Sequence, residues 1–585
     1  MHQKKSILAL SLAALGLLLA SCDLNEMYPN LSSKESIVTS SDITSSLSSE
    51  HSDVSSSKEQ SLFSSDGESI SNQESIPSSS ETLSSSEALS SSQESIFSSQ
   101  ESIFSNESIS SSPSESNSQA KPKNVVLDFY TCNDVHGNVV DSNLGAGIAK
   151  TATMLKQKSA GKNPVYIASG DMWQGSVESN LTHGALMTQW MKYMGFPGLT
   201  LGNHEYDWGK EWIQKNAIDY DFPMLGINIV DKTTQQRADY VQPSVVVESG
   251  GAKIGVIGAI GDCYTSISYS KVMDVEFILD RGSNQSLTNL IEAESTRLRE
   301  EEDCDFIVLS IHGDTSSGDT YYNEALSTGG YVDVVLEGHT HNSIHYVDGG
   351  NVHHFQSSAN SNIEYTHFSV DLDTETDDYV ITFDAGSDRY DLTSDDVTSL
   401  AEDAGSVAII SQYDFSQYNQ TIGYNSYNRS GSSMKQLCAD LYYDKGAQKW
   451  TDYADQIVLG GGYISIRGDR YLAQGNITYA QLYSLFPFDN DVVLMQLRGS
   501  LLKSNFINST NSNYFMKYSS YGDNLKYNQD LINNGDYYYV ITDTYTYDYL
   551  VSKNADIVLT DYYDTNGYYA RDFIADYASA GGFAS

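Results

Sequence analysis

Five apolar runs in one stretch of this chain end in residue types that can coordinate cations. The run from Asn124 to Asn133 is followed by Asp134 and His136, and "PVYIAS" by Gly170 and Asp171. "FPGLTL" ends in "GNHEYD", which contains Asn203, His204, Glu205 and Asp207. "FIVLSI" ends at His312, and "DVVLE" at Gly338, His339, Thr340 and His341. Imidazoles, carboxylates and one amide in this order are a donor set for two divalent cations such as Mn, Zn or Fe. One carboxylate can bridge two ions about 3.5 to 4 Å apart. A lone DxH or GNHE says little; the weight lies in their joint occurrence at successive run ends. The neighbouring glycines let the backbone turn tightly and approach the ions.

The elements that would hold these residues are legible as well. "NVVLDFYT", "PVYIAS", "FPGLTL", "AKIGVIGAI", "CDFIVLSI" and "YVDVVLE" read as strands, and helix-like segments lie between them at 146–158, 186–194 and 285–302. Strands alternating with helices predict an α/β protein with its site at the carboxyl ends of the strands. After Asp373 the composition shifts towards Tyr, Asn, Asp and Ser. There "SMKQLCADLYYDKG" has a helix pattern, and a Gly-rich strand leads to "IRGDR" and then to "PFDN".

The motifs "NDVHG", "GDMWQGS", "GNHEYD", "SIHGD" and "GHTH" resemble, in that order, the calcineurin-like metallophosphoesterases, and within them the bacterial 5'-nucleotidase family. The resemblance implies a four-layer α/β/β/α sandwich followed by a smaller α+β nucleotide-binding domain. It implies one metal held by Asp134, His136, Asp171 and His341, and another by Asp171, Asn203, His312 and His339. His204 and Asp207 become the pair that acts on phosphate, the imidazole stabilising charge and the carboxylate orienting it. Glu205 reads as a helix-start or supporting carboxylate. "GGYISIRGDRYLAQGNITYAQLYSLFPFDN" looks like the family's C-terminal substrate domain, which places Arg467 on phosphate, Phe488 against a base and Asn490 in hydrogen bonding to it. A guanidinium forks onto phosphate oxygens, and an aromatic face stacks on any base. Core packing is the other reading of Phe488. The family's second aromatic and GGDGY-like turn have no clear counterpart here; Tyr545 is the preferred second stacking residue, with Tyr547 next. The expected reaction is release of phosphate from nucleoside 5'-phosphates with two divalent metals. A 2',3'-cyclic nucleotide phosphodiesterase with 3'-nucleotidase action, a nucleotide-sugar hydrolase, and a binding lipoprotein on a phosphatase scaffold stay open.

The remainder of the chain concerns location. "MHQKKSILALSLAALGLLLASC" has two lysines, an apolar run and small residues before Cys22, the form of an export signal over 1–21. Leu19-Ala20-Ser21-Cys22 resembles the lipobox of bacterial lipoproteins, which implies acylation at Cys22 and anchoring to the outer face of the cytoplasmic membrane. Residues 22–123 are Ser-rich with recurrent "ESI" and few aromatics, too apolar-poor to fold, and read as a tether spanning about 50 to 60 Å as a flexible coil. A glycosylated or adhesive stalk is the other reading. The catalytic domain is then expected at 124–395, a linker helix at 396–419 and the substrate domain at 420–585. A net charge of −44, from 77 acidic against 33 basic residues, argues against a nucleic-acid polymer as partner. No protein partner is read from the sequence. Cys132, Cys263, Cys304 and Cys438 show no metal-type spacing and read as buried thiols, with one disulfide left open.

Overall fold

The computed structural model describes residues 122–584, apart from 143, 282–283, 314–321, 358–361, 468–470 and 511–513. The export signal, Cys22 and the Ser-rich segment up to 121 lie outside the described residues. No helix among the described residues is long and apolar enough to cross a membrane.

Two sheets face each other in the first half. Strand Asn124–Cys132 pairs in parallel with Pro164–Ala168 and antiparallel with Glu364–Asp373, running from Asn124 opposite Asp373 to Thr131 opposite Thr366. Asp378–Thr382 and Arg389–Asp391 complete that sheet. The second sheet has six strands in the order Ile344–Val347, His353–Gln356, Val334–Leu336, Phe306–His312, Ala252–Ile260 and Ser244–Ser249.

The alternation of side chains along each strand sorts them into layers. Val125, Leu127 and Phe129 point into the space between the sheets, where they meet Ile254, Val256, Phe306, Val308, Phe355 and Phe368. Phe368 stacks on Phe129 at 4.9 Å and on Phe355 at 4.5 Å, near parallel in both cases. Tyr130 and Cys132 point the other way, into a core shared with Ala152 and Leu155 of helix Ile148–Lys158. Ile257, Ile307 and Leu309 do the same opposite Leu287, Ile291 and Leu298 of helix Ser286–Glu300. Helix, sheet, sheet and helix make the expected four layers.

The second half has a five-stranded sheet in the order Tyr514–Tyr518, Ile457–Tyr463, Tyr537–Asp543, Val492–Arg498 and Val558–Tyr562. Helix Gly431–Lys449 buries Met434, Cys438 and Tyr442 in a core with Ile457, Leu494 and Ile541. The α+β character agrees with the expectation.

The segment between them differs from the single linker helix expected at 396–419. It forms two short helices, Asp395–Thr398 and Ala404–Ile410, and a 3-10 turn at Ser416–Asn419. Asp403 is the reason for the break: its carboxylate accepts the Ser406 N–H, which caps a new helix start. Val397 and Ile409 pack into the first half's core, with Tyr413 and Phe415 against that core, so this segment is structurally part of the first half.

Candidate functional site

The site is assembled from strand ends whose backbone is itself locked. The Asp134 N–H donates to Gly170 O, the His136 N–H to Asp171 O and the Gly137 N–H to Met172 O, which joins the loops after the first two strands. Glu205 binds this backbone from below. Fully buried, its carboxylate accepts the N–H groups of Asp171, Met172, Trp173 and Gly202 at 2.8 to 3.2 Å. Burial, and after it the neighbouring Asp171, push its pKa up to about 7. It organises the loops and is not among the converging donors, as the sequence suggested.

Asp134, His136, Asp171, His339 and His341 all have φ between 49° and 79°. Left-handed backbone is uncommon outside glycine and costs free energy, so five such residues in one place mark a constrained site. Space is equally restricted. A Cβ on Gly202 would lie 2.3 Å from Asp171 Oδ1, and one on Gly170 would lie 2.3 Å from His312 Nδ1.

The seven candidate ligands converge in two lobes. In one, His341 Nε2 lies 3.1 Å from Asp134 Oδ1 and 3.1 Å from His136 Nε2. In the other, Asn203 Oδ1 lies 3.2 Å from His312 Nε2 and 2.8 Å from His339 Nδ1. Asp171 joins them: its Oδ2 is 3.3 Å from His312 Nε2, and its carboxylate groups with His136 and His204 and, separately, with Asp134 and His312. Asp134 Oδ1 is buried and accepts no hydrogen bond among the described residues. An orphaned carboxylate oxygen between two imidazoles, whose ring nitrogens also face each other, fits a cation better than it fits a hydrogen-bond network.

Burial alone would raise the Asp134 and Asp171 carboxyls, but His341 beside the first and His312 beside the second hold both below the ordinary value. Burial opposes a proton on His312, yet Asp171 and then Asp134 outweigh it and push the pKa up to about 9. His339 moves the opposite way, down to about 4, through burial and the charge on His312. His136 is lowered well below the ordinary value by burial and by Arg467.

His204 stands beside the lobes. Its backbone N–H donates to Asp171 Oδ1 at 2.8 Å, and its ring Nδ1 lies 2.8 Å from Asp207 Oδ2. From the second half, Arg467 reaches the same place: Nη2 is 2.7 Å from His136 Nδ1 and donates to Gln174 O and Oε1. Arg467 Nε is buried with no hydrogen-bond partner among the described residues, an N–H left for an acceptor. The Phe488 ring sits 5.8 Å from that of His204 and 6.0 Å from the Arg467 guanidinium carbon. Asn490 lies on the same turn, half-buried, and its carbonyl accepts the Ala570 N–H.

Tyr545 is placed differently from a free stacking face. It stands in the first turn of helix Thr544–Val551, with its ring 5.4 Å from Tyr463 and its hydroxyl donating to Thr265 O of the catalytic half.

Two neighbours of the site escaped the sequence reading. Gln174, inside "GDMWQGS", holds both Arg467 and His136 through its oxygens. Cys263 Sγ groups with His312 and His339. A signal for it existed: strand Ala252–Ile260 ends just before Gly261-Asp262-Cys263, as the other strands end just before candidate ligands. Burial pushes its thiol well up, which keeps it protonated. The four described cysteines are buried and unbridged.

Residues 127–343 match the model of the calcineurin-like phosphoesterases, and residues 415–558 that of the 5'-nucleotidase C-terminal domain. An apyrase from Tabanus yao is 32% identical over 197 residues, 33% of this chain and 33% of its own length. Protein UshA from Yersinia enterocolitica is 27% identical over 253 residues, 40% of this chain and 44% of its own. The chain thus spans a third to under half the length of these curated relatives. The crystal structure of a 5'-nucleotidase precursor from Thermus thermophilus superposes with a TM-score of 0.57 at 18% identity, covering 78% of this chain and 96% of that one.

Proposed function

Because the chain joins a calcineurin-like phosphoesterase, residues 127–343, to a 5'-nucleotidase C-terminal domain, residues 415–558, we propose that it hydrolyses nucleoside 5'-phosphates to nucleoside and phosphate. The observation that carries this reading is the arrival of Arg467 and Phe488, from the second domain, at the donor shell built by the first.

Asp134, His136, Asp171 and His341 would hold one divalent cation, and Asp171, Asn203, His312 and His339 the other, Asp171 serving both. Bound there, two such cations neutralise charge on phosphate oxygens and acidify water near neutral pH. The remaining work falls to the chain's own groups. Arg467 presents Nε–H and its Nη donors to phosphate oxygens as a fork. His204, with Nδ1 oriented by Asp207, turns its other ring nitrogen towards the transferring group, where it stabilises charge on the phosphoryl or leaving oxygen. Phe488 offers a face for the base and Asn490 an amide for its edge. Tyr545 is the second aromatic in this scheme. The domain boundaries follow the same reading, with the catalytic unit continuing through the packed segment that ends near Phe415.

Export and anchoring through Cys22 complete the proposal, on residues outside the described ones: the enzyme would face outward on a Ser-rich tether and meet extracellular nucleotides.

The test is phosphate release by chelator-stripped protein reloaded with Mn, Zn or Mg, on AMP, ATP, UDP-glucose and 2',3'-cyclic AMP. Metal-dependent release from AMP is expected. Preference for the cyclic or sugar nucleotide would move the assignment to those reactions, and silence on all four with metal bound would overturn it.

A further inference from the structure

The turn that carries Phe488 presents three successive backbone carbonyls, and side chains from two domains take all three. Arg571, in the first turn of the C-terminal helix Ala570–Ser579, donates through Nη1 to Phe486 O at 3.3 Å and to Phe488 O at 3.0 Å, and through Nη2 to the Asp489 carboxylate. Its Nε reaches the Tyr479 hydroxyl at 3.3 Å, and its guanidinium lies 3.7 Å from the Tyr483 ring centre. The middle carbonyl, Pro487 O, accepts from Asn180 Nδ2 at 2.7 Å. Asn180 belongs to the catalytic half, on helix Val177–Leu181, and its Oδ1 accepts the Gly175 N–H at 2.8 Å. Gly175 in turn packs against the His136 carbonyl so closely that a Cβ there would lie 2.2 Å from it. Arg571 is 2% exposed and Asn180 1%.

We propose that Arg571 and Asn180 are positioning residues that clamp the 486–489 turn by its carbonyls, and so determine where Phe488 meets the base; this rests on the nucleotide reading above. Arg571 sets the turn within its own domain. Asn180 ties the same turn, through Gly175, to the backbone of a metal-ligand candidate. A planar fork fixed against an aromatic ring holds several acceptors in one geometry, which an ammonium cannot reproduce. Neither residue touches the phosphate end of the site, so their effect falls on recognition of the organic group and not on the chemical step.

Asn180→Asp is the isosteric variant. It keeps an oxygen for the Gly175 N–H and replaces the donor to Pro487 O with a second oxygen. Arg571→Lys keeps the charge and removes the fork. Both are assayed in the metal-loaded full chain on AMP and on ribose 5-phosphate, which has the sugar phosphate without the base, and amide exchange is followed at 486–491. Each variant loses at least one buried hydrogen bond to the turn, which should raise KM for AMP roughly tenfold. Turnover of AMP and kcat/KM for ribose 5-phosphate should stay within about twofold, while amides at 486–491 exchange faster and those at 124–137 do not. Equal losses on both substrates would show a general structural role and overturn the proposal, as would unchanged KM or unchanged exchange. If the parent chain hydrolyses ribose 5-phosphate and not AMP, the nucleotide reading fails. The exchange data then still decide: faster exchange in the variants keeps the clamp, and unaltered protection removes it.

Discussion

At the scale of single residues, His204 carries the sharpest expectation. It lies within ligand reach of His136 and Asp171, and Asp207 fixes one of its ring nitrogens. Removing a positioned acid, base or charge stabiliser of this kind costs about 10²- to 10⁴-fold. His204→Ala is therefore expected to lower kcat on AMP by that factor while elemental analysis still finds two metals per chain. Full activity would refute the role, and lost metal would make His204 a ligand. The residues that could be read ahead of the structure were those whose chemistry is announced by type and position at once, such as Asp134, Asp171 and His312 at run ends. Gln174 was not readable, because an amide that works through its oxygens looks like any polar turn residue. Glu205 was readable only as a non-ligand; that four backbone N–H groups would converge on it depends on three-dimensional closeness of Asp171 and Gly202.

At the scale of elements, the site is a set of loops forced into sparsely populated backbone conformations and held there by neighbouring strands. The apolar runs gave the strands because burial on both faces leaves continuous Val, Ile and Leu, as in Phe306–His312, buried throughout. A single linker helix is the expectation for 396–419, whereas Asp403 restarts the helix locally. The glycines next to the candidate ligands are where element and site meet. Gly202→Ala would put a methyl 2.3 Å from Asp171 Oδ1 and 2.9 Å from His312 Cε1. Overpacking of this kind costs about 1 to 3 kcal/mol. The expected result is a lower denaturation midpoint together with loss of bound metal. A variant with full metal content would show that the loop can yield.

At the scale of the whole molecule, the donor shell links stability to pH. His312 has its pKa raised above the ordinary 6.5 to about 9 by the two carboxylates facing it. A raised folded-state pKa contributes stability that is complete below about 6.5 and lost as pH climbs through 9. The same proton competes with a cation, so metal affinity should rise across that window. Denaturant melts of chelated protein are expected to show declining stability from pH 6.5 to 9, and metal-loaded protein a smaller decline. Parallel curves would mean that His312 is neutral in the metal-free chain. The two-domain plan was legible from the composition shift and the separate motifs. The contacts that bring Arg467 to His136 were not, since no local pattern records which surfaces of two domains meet.

The pairing of the first strand with Glu364–Asp373 also bears on the order in which the chain is made. Asp134 and His136 emerge early, yet the strand that carries them lacks its second edge until residue 373 has followed, and the donor shell stays incomplete until His341 is out. Long-range pairing of this sort is formed slowly and late. A nascent chain therefore has no finished cation trap to fill while it is still being synthesised. The cation is therefore acquired by the completed polypeptide, from whatever compartment then holds it.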